Sequence, residues 1–389
     1  MQPASSHNPV SNVRAYLYAL AILVGSRLVL FLALIFSVRF IPPSPMAAGE
    51  ANLLWYQYLL RWDGGWYLQI LRDGYSYNGN DLVQQSVNFN PLYPLLCKPL
   101  VLFGVAPGAA LVIVSNLLIF IAVPLLLKLI REDYGDEVAY YALAALCFFP
   151  TSLFFSAGYT ESLGLLLIVS FFLMLRRRRF ILASLFVGLA LATRLMSMIL
   201  LPPLLWELWR AYSKDLRRLV RVGVVCLILA TSGFWLYVVY LWAAFNRPQA
   251  IWTTKRAWHG SGGLRELFEV LTLQPFQHLA DVWRVGLLPE TIAPWFFLLF
   301  AVLFLVFRKL LPPAYSLYVL GALLMPYILS SGNAGFVSFT RYMMLTFPVF
   351  IIMGEAFKKR VWLGLTVVSL FAAMMFMYAA LYAQAYWAG

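Results

Sequence analysis

Apolar runs of about twenty residues, separated by short and mostly basic breaks, limit this chain more than any other feature. Each run is long enough to cross a hydrocarbon core as a helix, and none alternates as a barrel strand does. A backbone in lipid must satisfy its own polar groups, so the expected class is an all-α, polytopic transmembrane helical bundle. Composition agrees: 62% of the 389 residues are hydrophobic and 12% charged, with a mean hydropathy of +0.80, well beyond soluble domains. Transmembrane content of this kind excludes a soluble globular protein.

The breaks set the orientation. REDYGDE (131–137), RRRR (176–179), RAYSKDLRRLVR (210–221), RKLLPP (308–313) and KKR (358–360) are predominantly basic. The positive-inside rule assigns them, with Arg14, to the cytoplasm. Lengths between breaks then predict about eleven spans: 15–40, 109–130, an out-and-back pair in 138–175, another in 180–209, then 221–245, 293–307, 314–330, 342–357 and a last helix from 361. Residues 91–105, with Pro91, Pro94, Lys98 and Pro99, are too broken for a span and are expected at the outer interface. The polar N-terminus precedes a run too long for a signal-peptide core, so a retained first helix is expected. With no tandem repeat or low-complexity tract, 1–389 is expected to be one integral membrane domain, with outer loops at about 42–90 and 246–290. Turns at 156–162, 193–197 and 331–341 fall on the same outer side.

This topology places nearly all polar residues that are not cytoplasmic flanks outside. The first loop holds ANLLWYQYLLRW, with Trp55, Tyr58, Leu59 and Trp62 at helical spacing, then Asp63 and Gly64-Gly65. An interfacial helix ending before Asp63 is expected, with Asp63 as N-cap of the next helix. A second reading is compatible with the first. The glycines remove bulk beside a carboxylate, which can then serve as general base toward a hydroxyl.

Several stretches carry a family resemblance. RWDGGWYLQILRDGY followed by NFNPLYPLL, then FFPTSLFFSAGYTESL, GLALATRLM and SFTRYMMLTFPVF, in this order, resemble the motifs of the PIG-V-like mannosyltransferases, within the GT-C class of membrane glycosyltransferases. The resemblance covers most of residues 15–357. It implies transfer of a sugar, mannose by family, from a polyprenyl-phosphate donor to a lipid or glycolipid acceptor at the extracytoplasmic face, with inversion. It also implies residence in a bacterial plasma membrane, or in the endoplasmic reticulum membrane of a eukaryote.

Residue by residue, the matched motifs imply Asp63 as base, Glu161 as second acid and Arg341 as a ligand of the donor phosphate. The same motifs bring Arg61, Trp62, Trp66, Asn90, Tyr93, Tyr159, Arg194 and Tyr342 into the candidate donor- and acceptor-binding set. Each has a plainer alternative. The aromatic residues are suited to interfacial anchoring, Glu161 to capping the helix that follows it, and Arg194 to fixing a tight turn. Arg27 lies near the middle of the first span, where a charge is expected to have a partner or a ligand phosphate.

Cys97, Cys147 and Cys226 are scattered, and His7, His259 and His278 form no metal-ligand pattern. No metal site or cofactor is indicated, although a divalent ion is compatible with the chemistry. In the second loop Lys255, Arg256 and Arg265 suit a phosphate-bearing lipid or anionic headgroups. The net charge of +13 is accounted for mainly by cytoplasmic flanks and implies no nucleic acid. A lipid or lipid-linked sugar flippase is the rival function, expected to show internal repeats and broken midplane helices.

Overall fold

The computed structural model describes residues 9–50, 53–255, 257, 276, 289–330 and 338–388. Among these, all regular structure is helical. The first helix, α1 (Pro9–Phe40), leads into the 41–90 loop. That loop contains a 3-10 turn at Trp55–Leu59 and α2 (Asp63–Asp73). It leads into α3 (Leu92–Leu102) and the long α4 (Pro107–Tyr134).

The following four helices are short: α5 (Asp136–Cys147), α6 (Glu161–Arg176), α7 (Phe180–Leu191) and α8 (Leu201–Tyr212). The long α9 (Leu216–Phe245) and a single turn, α10 (Ala250–Thr253), come next. The chain closes with α11 (Pro289–Phe307), α12 (Pro313–Ser330), α13 (Phe339–Met343), α14 (Phe347–Lys359) and α15 (Val361–Ala383).

Five of the described helices are long and apolar enough to cross a membrane. The others counted as crossings are shorter. At a rise of 1.5 Å per residue, α5 and α6 reach about 18 and 24 Å, less than the roughly 30 Å hydrocarbon core. The segment joining them is enclosed within the bundle. Irregular backbone is tolerated at such depth only when protein encloses it, and every residue from Phe149 to Leu165 is buried. Phe149 anchors the break, with its ring 5.2–5.8 Å from those of Phe296, Phe300, Phe350 and Phe371.

Arg27 has a partner of an unexpected kind. Its Nη1 donates to Ser152 O and Ser156 Oγ, both at 3.0 Å. Nη2 donates to Cys147 O and Ser152 Oγ, both at 3.3 Å. The arginine thus satisfies carbonyls that the interrupted helix leaves open, and no carboxylate pairs with it among the described residues. This explains how a charge is retained in the middle of α1.

Packing runs α9 on α7, α7 on α6, α6 on α4, and α1 on α15, with α14 against α5. Where α7 meets α9 the backbones touch. A Cβ built on Gly233 would lie 2.0 Å from Gly188 O. Small residues permit this close crossing, the usual device when lipid supplies no hydrophobic drive for association.

Two local expectations are corrected. The stretch ANLLWYQYLLRW does not form an α-helix, because the chain tightens into the 3-10 turn and breaks at Trp62, whose φ is +54°. Asp63 is the first residue of α2 rather than its N-cap, and its side chain makes no cap hydrogen bond. The second outer loop falls largely outside the described residues, including Arg256, Arg265, His259 and His278; His7 and the turn at 331–337 do as well. Lys255 is half-buried, and burial lowers its pKa to about 8.

Candidate active site

The 41–90 loop is tied down at several points. Asn90 Nδ2 donates to Leu191 O at 2.7 Å and Leu92 N–H to Ala192 O at 3.0 Å, fixing the loop to the end of α7. Tyr237 donates from α9 to Val87 O at 2.9 Å. At the other end, Gly158 N–H donates to Leu59 O at 2.9 Å.

Tyr159, fully buried, holds the turn that carries Asp63. Its hydroxyl accepts from Asp63 N–H at 3.1 Å and donates to Arg61 O at 3.0 Å. Tyr382, from the last helix, braces the same turn by accepting from Arg61 N–H at 3.1 Å. Gly64 packs closely here, since a Cβ would lie in van der Waals contact with Tyr159 at 3.4 Å, whereas Gly65 faces open space beside Asp63.

Four charged side chains meet at this point. Arg341 Nη1 donates to Asp63 Oδ2 at 2.8 Å, and its Nε lies 3.4 Å from Glu161 Oε1. The same Glu161 oxygen accepts from Arg194 Nη1 at 2.8 Å. Two carboxylates and two guanidinium groups thus form one chain, Asp63–Arg341–Glu161–Arg194, with compensated charge. Their elements explain the convergence. Glu161 opens α6, whose other end is Arg176, while Arg194 follows α7, which begins beside Arg179. Both therefore stand at the end of the bundle opposite those basic breaks. Asp63 and Glu161 each occupy the first turn of a helix, where the macrodipole favours a negative charge.

Access differs sharply within the cluster. The side chains of Glu161 and Arg341 are 1% and 5% exposed, whereas Asp63 is 20% exposed. Among the described residues Asp63 Oδ1 makes no hydrogen bond, and Glu161 Oε2 and Trp62 Nε1 are buried without a partner. Burial works against the Arg341 charge, but Asp63, then Tyr342 and Glu161, hold its pKa well above the ordinary value. Aromatic rings enclose the cation: Phe154, Tyr159 and Tyr342 have centroids 5.2–5.4 Å from Arg341 Cζ. Tyr342 also lies 5.0 Å from Arg194 Cζ, so one ring separates two guanidinium groups.

Other matched residues lie around the cluster rather than in it. Arg61 pairs with Glu50 and donates to Ala383 O at 3.1 Å. Trp62 packs edge-on against Trp387, and Trp66 stacks on Phe89. Tyr93 is fully buried, its hydroxyl donating to Leu111 O at 2.9 Å beside Ser115 Oγ. Asn90 and Tyr93 thus anchor helices, and Arg27 supports the 147–156 break from below.

Two residues were not singled out from the sequence. Tyr382 had no visible signal, since its contact with Arg61 spans 321 residues. Tyr67 stands one helical turn after Asp63, a spacing that shares a face. Burial raises its pKa, Arg194 opposes the rise, and Asp63 and Glu161 add to it.

The family model described as mannosyltransferase (PIG-V) matches residues 11–288, well over half of the chain. Among curated proteins none matches. Among solved structures, the archaeal oligosaccharyltransferase AglB from Archaeoglobus fulgidus, in complex with an inhibitory peptide and a dolichol-phosphate, is similar at 15% identity and a TM-score of 0.42. That similarity covers 94% of this chain and 56% of AglB, so the chain spans little more than half of that protein's length. The motifs from RWDGGWYLQILRDGY to GLALATRLM lie inside the matched residues and SFTRYMMLTFPVF beyond them; by that match the chain belongs to the PIG-V mannosyltransferase family.

Proposed function

We propose that this membrane protein transfers a sugar, mannose by family, from a polyprenyl-phosphate donor to a hydroxyl of a lipid or glycolipid acceptor, on the side of the membrane away from the basic breaks. Asp63 is the general base. Its partly open carboxylate takes the acceptor proton while the hydroxyl oxygen attacks the anomeric carbon. The bond from that carbon to the phosphate oxygen breaks, and polyprenyl phosphate leaves with the electron pair. Attack opposite the leaving group inverts the anomeric centre.

Arg341 and Arg194 stabilise the charge developing on the phosphate. Preorganised donors in an enclosed site are effective for this purpose, and the guanidinium fork matches phosphate geometry. Glu161 binds both arginines and keeps them in place before the donor arrives. Trp62, whose Nε1 is unpartnered, and Trp66 flank Asp63 in sequence and are assigned to stacking on the sugar. The observation that carries the reading is the Asp63–Arg341–Glu161–Arg194 chain, in which Glu161 and Arg341 are closed off while Asp63, at 20% exposure, is the accessible carboxylate and Arg194 is 14% exposed.

The test is incubation of the purified chain with radiolabelled polyprenyl-phosphate-mannose and a panel of lipid acceptors, followed by determination of the product anomer. Transfer with inversion is expected. Donor movement across a vesicle membrane without transfer to any acceptor would replace this reading with that of a flippase.

A further inference from the structure

The two arginine-rich breaks that the proposed reaction leaves unused, 176–179 and 210–221, are well separated in sequence yet fold against each other. Arg178, Phe180, Tyr212, Lys214 and Arg218 are among the residues lining a cavity of about 380 Å³ between the α6–α7 and α8–α9 turns. Two neighbouring arginines are neutralised: Arg176 pairs with Glu132 and Asp133, and Arg210 with Glu207. The three cations of the cavity are not. Among the described residues none of Arg178, Lys214 or Arg218 forms an ion pair. The one carboxylate of the lining, Asp215, caps the start of α9, its Oδ1 accepting from Arg218 N–H at 3.0 Å, and leaves the cations in excess. Arg218 lies over the Tyr212 ring, with Cζ 4.9 Å from its centroid, and is thereby held at the cavity wall.

A concave site with three unmatched cations favours a multivalent oxygen anion, and arginine in particular suits phosphate. Its surroundings define the rest of the ligand. Trp209, Leu216 and Val220 on the adjoining turns of α8 and α9 are exposed, so an apolar flank adjoins the charged cavity. A free phosphate would use only the cavity, whereas a phospholipid would use both. We propose that this cavity binds the phosphate of an anionic phospholipid in the leaflet at the basic end of the bundle, with its chains lying along Leu216 and Val220. Such a lipid bridges the turns at the base of α6–α7 and α8–α9. Glu161 and Arg194 stand at the far ends of α6 and α7, so the site braces the helices that carry half of the charged cluster.

Titration of the detergent-solubilised full chain with phosphatidylglycerol, with retained lipid counted by native mass spectrometry, tests the proposal. Phosphatidylcholine and inorganic phosphate serve as separate probes. Phosphatidylglycerol is expected to bind well above both. Each surface charge contributes about fivefold to attraction of an anionic lipid, so R178Q/K214Q/R218Q should weaken binding by about 100-fold, while K358Q/K359Q at the same end leaves it unchanged. If the triple variant does not fold, Lys214→Gln alone should give about a fivefold loss, and R178K/R218K should retain most of the binding. Equal binding by the Gln variants and the native chain would overturn the proposal. So would inorganic phosphate binding as tightly as the lipid.

Discussion

Replacement of Asp63 by Asn separates the base from the structural ion pair. In the native chain Asp63 accepts from Arg341 at 2.8 Å, and Asn keeps an oxygen in the same position while losing the charge and the capacity to take a proton. Arg341 retains Glu161 at 3.4 Å, so it is not left without an anion. The full penalty for breaking a buried pair, about 3–5 kcal/mol, therefore does not apply. With Asp63 itself 20% exposed, solvent screening reduces the loss to about 1–2 kcal/mol. Because Asp63 is not an N-cap, Asp63→Ala costs stability through the lost acceptor for Arg341, not through an uncapped helix. Transfer should fall by about 100-fold or more in both variants, as for removal of a general base. Initial rates with polyprenyl-phosphate-mannose, alongside melting temperatures from intrinsic fluorescence, measure the two effects independently. An Asp63→Asn protein that transfers mannose within a few-fold of the native rate would refute the assignment of the base.

Further outcomes follow from the same geometry. Arg341→Lys keeps the charge but cannot meet Asp63 and Glu161 together, so transfer should drop by about 100-fold, read from initial rates at saturating donor. Tyr159→Phe leaves Asp63 N–H without its partner, while Arg61 O is still held by Tyr382 at 3.1 Å. It should destabilise by about 1–2 kcal/mol, seen as a lower melting temperature. Gly233→Val drives a side chain into Gly188 O and should cost about 3 kcal/mol, whereas Gly223→Ala, with open space around it, should be neutral in the same melting assay. For sidedness, a cysteine at Leu82 should react with an impermeant thiol reagent added outside intact cells and one at Ser213 should not. The three native cysteines are buried and contribute little background, and the reverse labelling would invert the topology.

Fold class was legible in the sequence, and the four charged residues of the candidate site could be placed at one end of the bundle from it. Hydrophobic run length fixes membrane helices because an unpaired backbone is intolerable in lipid, and the basic breaks mark one end of the bundle. Run lengths and basic breaks together put Asp63, Glu161, Arg194 and Arg341 at the opposite end, and the structure brings them into a single chain of contacts. Local pattern was misleading where tertiary contacts override it. ANLLWYQYLLRW has helical spacing but becomes a 3-10 turn, and Asp63 gives up the capping position, because Tyr159 from the turn before α6 and Tyr382 from the last helix seize the Arg61–Asp63 backbone. Only the tertiary structure revealed that Arg27 serves the carbonyls of an enclosed helix break, that α7 and α9 meet through two glycines, and that Glu161 joins both arginines. These are pairings between residues far apart in sequence. Periodicity records which face of its own helix a residue occupies, but it carries no information about which other helix will come to meet that face.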